Sequence, residues 1–121
     1  MVAAEVKALY SLEGDNLEQY APDAPDRFLL RIRAIVGPKG APGEESFDIR
    51  VCTPAWLADV CEAEGFVVGR HYIVVANYDF AALESVITKL IESCSGNSWQ
   101  EVAQKVARIG YWEFEDYQPS G

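Results

Sequence analysis

Reactive side chains are scarce in this sequence. Histidine occurs once, as His71 beside Arg70. No Gly-x-Ser-x-Gly, no Gly-Lys-Ser/Thr phosphate loop and no His-Glu-x-x-His occurs, so the local signatures of serine hydrolases, nucleotide-phosphate enzymes and zinc proteases are missing. Three cysteines, Cys52, Cys61 and Cys94, cannot all pair with one another and have no Cys-x-x-Cys spacing, which argues against a zinc site. Each falls in an apolar stretch and reads as a small buried hydrophobe in a reducing compartment. Basic residues are also few: ten Lys and Arg stand against nineteen Asp and Glu, a net charge of -9. Neutralising phosphates needs clustered cations, so binding to DNA, RNA or an anionic membrane is not expected. No window approaches the ~18 apolar residues of a membrane span, and the first residues lack a basic region followed by an apolar run. A cytoplasmic location is the expectation.

What is present suits one folded domain. At 121 residues, half of them apolar, the chain can bury roughly two-thirds of its unfolded surface in a single core. Residues 6–12 alternate as a first strand, and residues 13–26 follow as an acidic arm holding Glu13, Asp15, Glu18, Asp23 and Asp26. Residues 28–36, with Arg31 and Arg33 alternating against Leu30 and Ile32, and residues 46–52, with Phe47, Ile49 and Val51 on one face, predict two half-buried strands. The Gly/Pro tract at 37–43 makes them a wide hairpin. Thr53-Pro54 starts a helix that Gly65 stops. Residues 71–76 form the most apolar strand, expected at the centre of its sheet.

Asp79 caps the longest predicted helix, over 80–93, whose Leu83, Ile87, Leu90 and Ile91 draw an apolar stripe. Ser98 and Glu101 form a capping box for a third helix, which ends at Gly110. Residues 111–117 then emerge extended. The order predicts an α+β domain, a mainly antiparallel sheet with three helices packed on one face, over residues 1–121.

The candidate functional residues lie in that last segment. Trp112, Glu113, Glu115, Asp116 and Tyr117 interleave aromatics with carboxylates, a composition that suits an anchor with a charged rim. In an extended segment Glu113 and Glu115 share one side, so acid/base work or a divalent site is conceivable there. An acidic surface strand with Trp112 and Phe114 turned inward accounts for the same alternation. Trp56 and Trp99 each begin a helix on its apolar face and read as packing residues. Arg31, Arg33 and Arg50 sit on adjacent strands, where weak surface ion pairs with the many acids are expected.

Four stretches carry a resemblance. Phe47-Asp48-Ile49-Arg50-Val51-Cys52-Thr53-Pro54-Ala55-Trp56-Leu57, then Gly69-Arg70-His71-Tyr72-Ile73-Val74-Val75, then Cys94-Ser95-Gly96-Asn97-Ser98-Trp99-Gln100-Glu101-Val102-Ala103, then Trp112-Glu113-Phe114-Glu115-Asp116-Tyr117 resemble the immunity protein 8 family of bacterial polymorphic toxin systems. The resemblance spans residues 27–117 and leaves the acidic arm outside it. It implies an α+β fold and protection of a cell by binding a secreted toxin domain, without catalysis, cofactor or metal. It carries over no toxin-contact residue.

Charge suggests where contact falls, because an acidic partner is steered to the basic cleft of a toxin such as a nuclease and competes there with phosphates. The expected surface is Glu113, Glu115 and Asp116, with Tyr117 or Trp112 as aromatic anchor and Asp23 and Asp26 as a second acidic edge. A monomer or weak homodimer is expected. The competing classes are a secretion-type chaperone, which needs exposed apolar helix faces and commonly dimerises, and a small enzyme or ligand-binding domain, which needs a concave site with perturbed titrating groups.

Overall fold

The computed structural model describes residues 1–115. Three successive antiparallel strands form the body of the sheet: β1 (Val2–Ser11), β2 (Leu29–Pro38) and β3 (Glu45–Cys52). Alternation decides which face is covered. Ile32, Ala34 and Val36 of β2 and Phe47, Ile49 and Val51 of β3 are fully buried, whereas Arg31 and Arg50 are exposed on the opposite face. Register pairs Ile32 with Ile49 and Ala34 with Phe47, so the apolar side chains meet across the strands.

Thr53 caps α1 (Pro54–Glu64), its hydroxyl oxygen accepting from the Trp56 N–H, and Gly65 ends the helix in the left-handed conformation at φ 92. The chain then returns as β4 (Tyr72–Val74), parallel to β3. Asp79 caps α2 (Phe80–Glu92), β5 (Ser95–Gly96) pairs with β1, and Ser98 caps α3 (Trp99–Val106). The Ser98 hydroxyl accepts from the Glu101 N–H as expected. The Glu101 carboxylate, however, reaches the Asn97 N–H, one residue before the position a capping box uses.

The sheet runs in the order β4-β3-β2-β1-β5. Leu83, Ile87 and Ile91 of α2 and Val102, Ala103 and Val106 of α3 are buried in the same core as the inward faces of β2 and β3. Packing on one face therefore holds for α2 and α3. The first helix differs: α1 contributes no buried side chain, and its Trp56 ring lies 6.3 Å from Tyr72, whose register partner is the outward-facing Arg50. Cys61, expected to be a buried hydrophobe, is accordingly exposed.

Two expectations about strands are overturned. The apolar run at 71–76 is an edge strand and not a central one, because β4 pairs over only three residues and has a neighbour on one side alone. Ile73 and Val75 pack against the rim of the core, and this uses up the hydrophobicity that alternation cannot assign to a position in the sheet. The segment after Gly110 is not extended either. Tyr111 makes a single bridge to Asp48, and the chain then turns through residues 113–115, with the Glu115 N–H donating to the Trp112 carbonyl at 3.1 Å.

The acidic arm is tied down by its few apolar residues. Leu17 and Phe28 are buried, and Tyr20 packs edge-on against both Phe28 and Tyr78, at 6.4 and 5.0 Å. The Tyr78 hydroxyl donates to the Leu17 carbonyl at 2.5 Å. Burial first, then the neighbouring Tyr20 and Asp15, push the Tyr78 phenol up from 10.0 to about 12. The fold thus favours the neutral phenol, so the stability that this group contributes is complete below pH 10 and is lost as pH rises through 12. Urea titrations at stepped pH are expected to show a decline across that window, less steep in Tyr78→Phe; an equal slope in both proteins contradicts the assignment.

Candidate functional site

The end of α3 is fastened to β3. A Cβ on Gly110 would lie 3.0 Å from that of Phe47 and 3.1 Å from Ile49 Cγ1, so only glycine lets the backbone come this close without displacing the core. Tyr111 then exchanges both backbone hydrogen bonds with Asp48, at 2.8 and 3.0 Å. Trp112 folds inward over Phe47, ring centroids 5.8 Å apart, and is 4% exposed. Its Nε1–H donates to Glu45 Oε1 at 3.1 Å, while the Trp99 Nε1–H donates to the other oxygen of the same carboxylate. One glutamate at the start of β3 thereby satisfies two partly buried indoles from the two ends of the α3 segment.

Around this anchor lies a recess of about 410 Å³ whose polar lining includes Arg33, Glu44, Glu45, Asp48 and Glu113. Two of its four carboxylates are engaged. Asp48 takes a bidentate bond from Arg33, at 2.7 and 2.9 Å, and Glu45 holds the indoles. The hydrogen bonds it donates to Asp48 hold the Arg33 guanidinium well above its usual pKa, against the opposing effect of burial. Glu44 and Glu113 remain exposed with no ion-pair partner among the described residues. Tyr111 and Phe114, 57% and 44% exposed, stand beside them. The result is an aromatic surface with an acidic rim.

Two of the three thiols, Cys52 and Cys94, and the imidazole are arranged for structure. Desolvation pushes both Cys52 and Cys94 up, the latter against the opposing charges of Arg108 and Lys105, so both stay protonated at neutral pH. The ring of His71 hydrogen-bonds the Ala107 carbonyl at 2.8 Å and meets Tyr111 edge-on at 6.2 Å, pinning β4 to the end of α3. His71 itself has φ 68, a left-handed conformation that histidine adopts more readily than most residues. Among the described residues no group of three or more His, Cys, Asp or Glu side chains has the geometry to hold a metal ion.

The proposed contact residues scatter. Glu113 is exposed on the turn; Glu115 is partly buried and ion-paired with Arg70. Trp112 is a wedge, so its ring is not an accessible anchor, and Asp116 and Tyr117 lie outside the described residues. Asp23 and Asp26 are exposed on the arm. The arm rejoins the sheet where the Phe28 N–H donates to Thr53 Oγ1 and Arg27 pairs with Asp59 of α1. That corner is at the far end of β3 from Glu45, about 23 Å away at the usual rise per strand residue. The two acidic edges are therefore separate. Sequence reasoning missed Glu44 and Glu45, whose only local signal is an acidic doublet between a glycine and a strand.

The family model described as Immunity protein 8 matches residues 4–117. The match takes in the acidic arm that the motif resemblance left out. No curated protein and no solved structure matches the chain.

If Trp112 is the wedge that closes this corner, Trp112→Ala is expected to cost about 3–5 kcal/mol of unfolding free energy by urea denaturation, the range for emptying a buried tryptophan site. Trp112→Phe, which keeps the stack on Phe47 but removes the donor to Glu45, is expected to cost clearly less. A loss under about 1 kcal/mol for the alanine variant, typical of surface sites, contradicts the wedge.

Proposed function

The chain belongs to the immunity protein 8 family, and from that membership we propose that it neutralises a cognate secreted toxin domain by binding and covering it, without chemistry of its own. The observation that carries this reading is the recess beside Trp112. Exposed Tyr111 and Phe114 flank Glu44 and Glu113, carboxylates with no ion-pair partner among the described residues, on a rigid base that the Glu45–indole bonds hold in place. Preorganised aromatic area gives an interface its short-range energy, and unpaired rim charge gives it speed.

The target best suited to this surface is a basic cleft, such as that of a nuclease. A net charge of -9 attracts it at long range, and the carboxylates then compete with substrate phosphates. Fast capture is what protection from a sibling's toxin demands. Asp116 and Tyr117 follow in the sequence, outside the described residues, and we propose that they take part in the contact. Glu115 acts through Arg70, while Asp23 and Asp26 form an independent acidic edge that a large toxin domain reaches only by spanning the sheet. Among the described residues no helix is long and apolar enough to cross a membrane, and we place the encounter in the cytoplasm.

The test is capture of the toxin domain encoded beside this chain's gene. Reversal of Glu44 and Glu113 to Lys is expected to slow association about tenfold or more and to flatten its dependence on salt, with melting behaviour unchanged. Unaltered association kinetics in the folded double variant reject the acidic recess as the contact. Failure of the unmodified chain to bind any such domain rejects the reading altogether.

A further inference from the structure

The open face of the sheet carries a second feature, of opposite charge. Arg31 and Arg50 are direct register partners on β2 and β3, both exposed, and like charges placed opposite one another disfavour strand pairing. Arg31 is met by Glu13 at 2.6 Å. Arg50 is not: among the described residues no carboxylate lies within ion-pairing distance of it, and its guanidinium instead sits 5.6 Å over the ring of Tyr72. Among the described residues Arg50 and Arg108 have no ion pair, unlike Arg27, Arg31, Arg33 and Arg70, and of the two only Arg50 stands beside another arginine in the sheet.

The surroundings of this pair are largely apolar, with one carboxylate, the exposed Glu64, in the same recess. Phe66 and Val68, on the connection between α1 and β4, are 70% and 72% exposed, and with Trp56 and Tyr72 they wall a recess of about 570 Å³ that has Arg31 and Arg50 in its lining. The same two arginines also line a smaller hollow of about 160 Å³ that ends at Asp48 and Tyr111. Those two residues in turn line the acidic recess. The middle hollow shares two residues with each of the other depressions, so the three form one track across the open face, from Phe66 through Arg50 to Tyr111 and Glu113.

Resting on the toxin-binding reading, we infer that the toxin footprint follows this track, and that its central section, Arg50 with Arg31 between Phe66 and Tyr72, receives a surface segment of the toxin domain bearing a carboxylate flanked by apolar side chains. Charge complementarity selects that occupant. A guanidinium already stacked on an aromatic ring and without an ion-pair partner among the described residues offers its planar fork to a carboxylate, and the adjoining exposed Phe66 and Val68 need apolar cover. A basic segment is repelled here and drawn to Glu113. The two ends of the track thus fix which way round the toxin docks, because reversing it sets like charges against each other at both ends.

The experiment uses the full chain and the toxin domain encoded beside its gene, measured by calorimetry. Arg50→Glu is expected to weaken binding about tenfold or more with unchanged melting behaviour. Phe66→Ser, at a position too exposed to affect folding, is expected to weaken it severalfold. Normal toxin affinity in both variants overturns the central section while leaving the acidic recess standing as the contact. An unmodified chain that fails to bind overturns both readings. Binding of oligothymidylate to the unmodified chain that Arg50→Glu abolishes, with toxin affinity intact, also overturns the inference by assigning the pair to phosphate.

Discussion

One-sided burial of the sheet is the constraint on which everything else rests. Ile32, Ala34, Val36, Phe47, Ile49 and Val51 all point toward α2 and α3, and a slip of one residue in either strand would send them to solvent and bring Arg31, Arg33 and Arg50 into the core. With that register fixed, the other face is fixed as well. Tyr10 stands opposite Arg33, Arg33 opposite Asp48, and Asp48 opposite Tyr111, a row of polar and aromatic side chains drawn across four segments by backbone pairing alone. The helices that fill the core leave this row uncovered.

Charge is distributed unevenly over the resulting surface. Arg27, Arg31, Arg33 and Arg70 each have a carboxylate partner, and among the described residues the acids left without an ion pair include Glu44 and Glu113 beside the recess, Asp23 and Asp26 on the arm, and Glu62, Glu64 and Glu84 on the helices. Most of those pairs are solvent-exposed and add little to stability. Their effect is on the field, since each cancels one carboxylate locally, Asp48 on the sheet and Glu13, Asp59 and Glu115 around it. In the proposed complex, long-range attraction comes from the net charge and short-range fit from the rigid aromatics. The Glu45–indole bonds connect the two, since they hold Trp112 under the rim that Glu113 and Phe114 form.

Much of this was legible from the residues in order. Alternation at 28–36 and 46–52 located β2 and β3, and Thr53, Asp79, Ser98 and Gly65 marked the helix ends, because caps and periodicity are local properties. The edge position of β4 was not legible, since an apolar run packs equally well at a rim. The low burial of α1 was hidden for a related reason: Trp56 and Val60 look like a core stripe until the sheet face they meet is known. Glu45 was invisible as a keystone because its partners are 54 and 67 residues away and nothing local marks a glutamate as an indole acceptor. The motif-level resemblance named the right family, confirmed by a match over residues 4–117, but alternation misjudged the C-terminal segment, where a turn replaces the expected strand.

Hydroxyl-radical footprinting of the chain, alone and bound to its toxin domain, addresses the central claim most directly, since it reads side-chain exposure on every face at once. Protection of Tyr111, Phe114 and Phe66, with Leu90 on the outer side of α2 unchanged, is the result expected if the open face of the sheet is the working surface. Protection of Val86 and Leu90 with the three aromatics still reactive would contradict it and move the contact to the helical side.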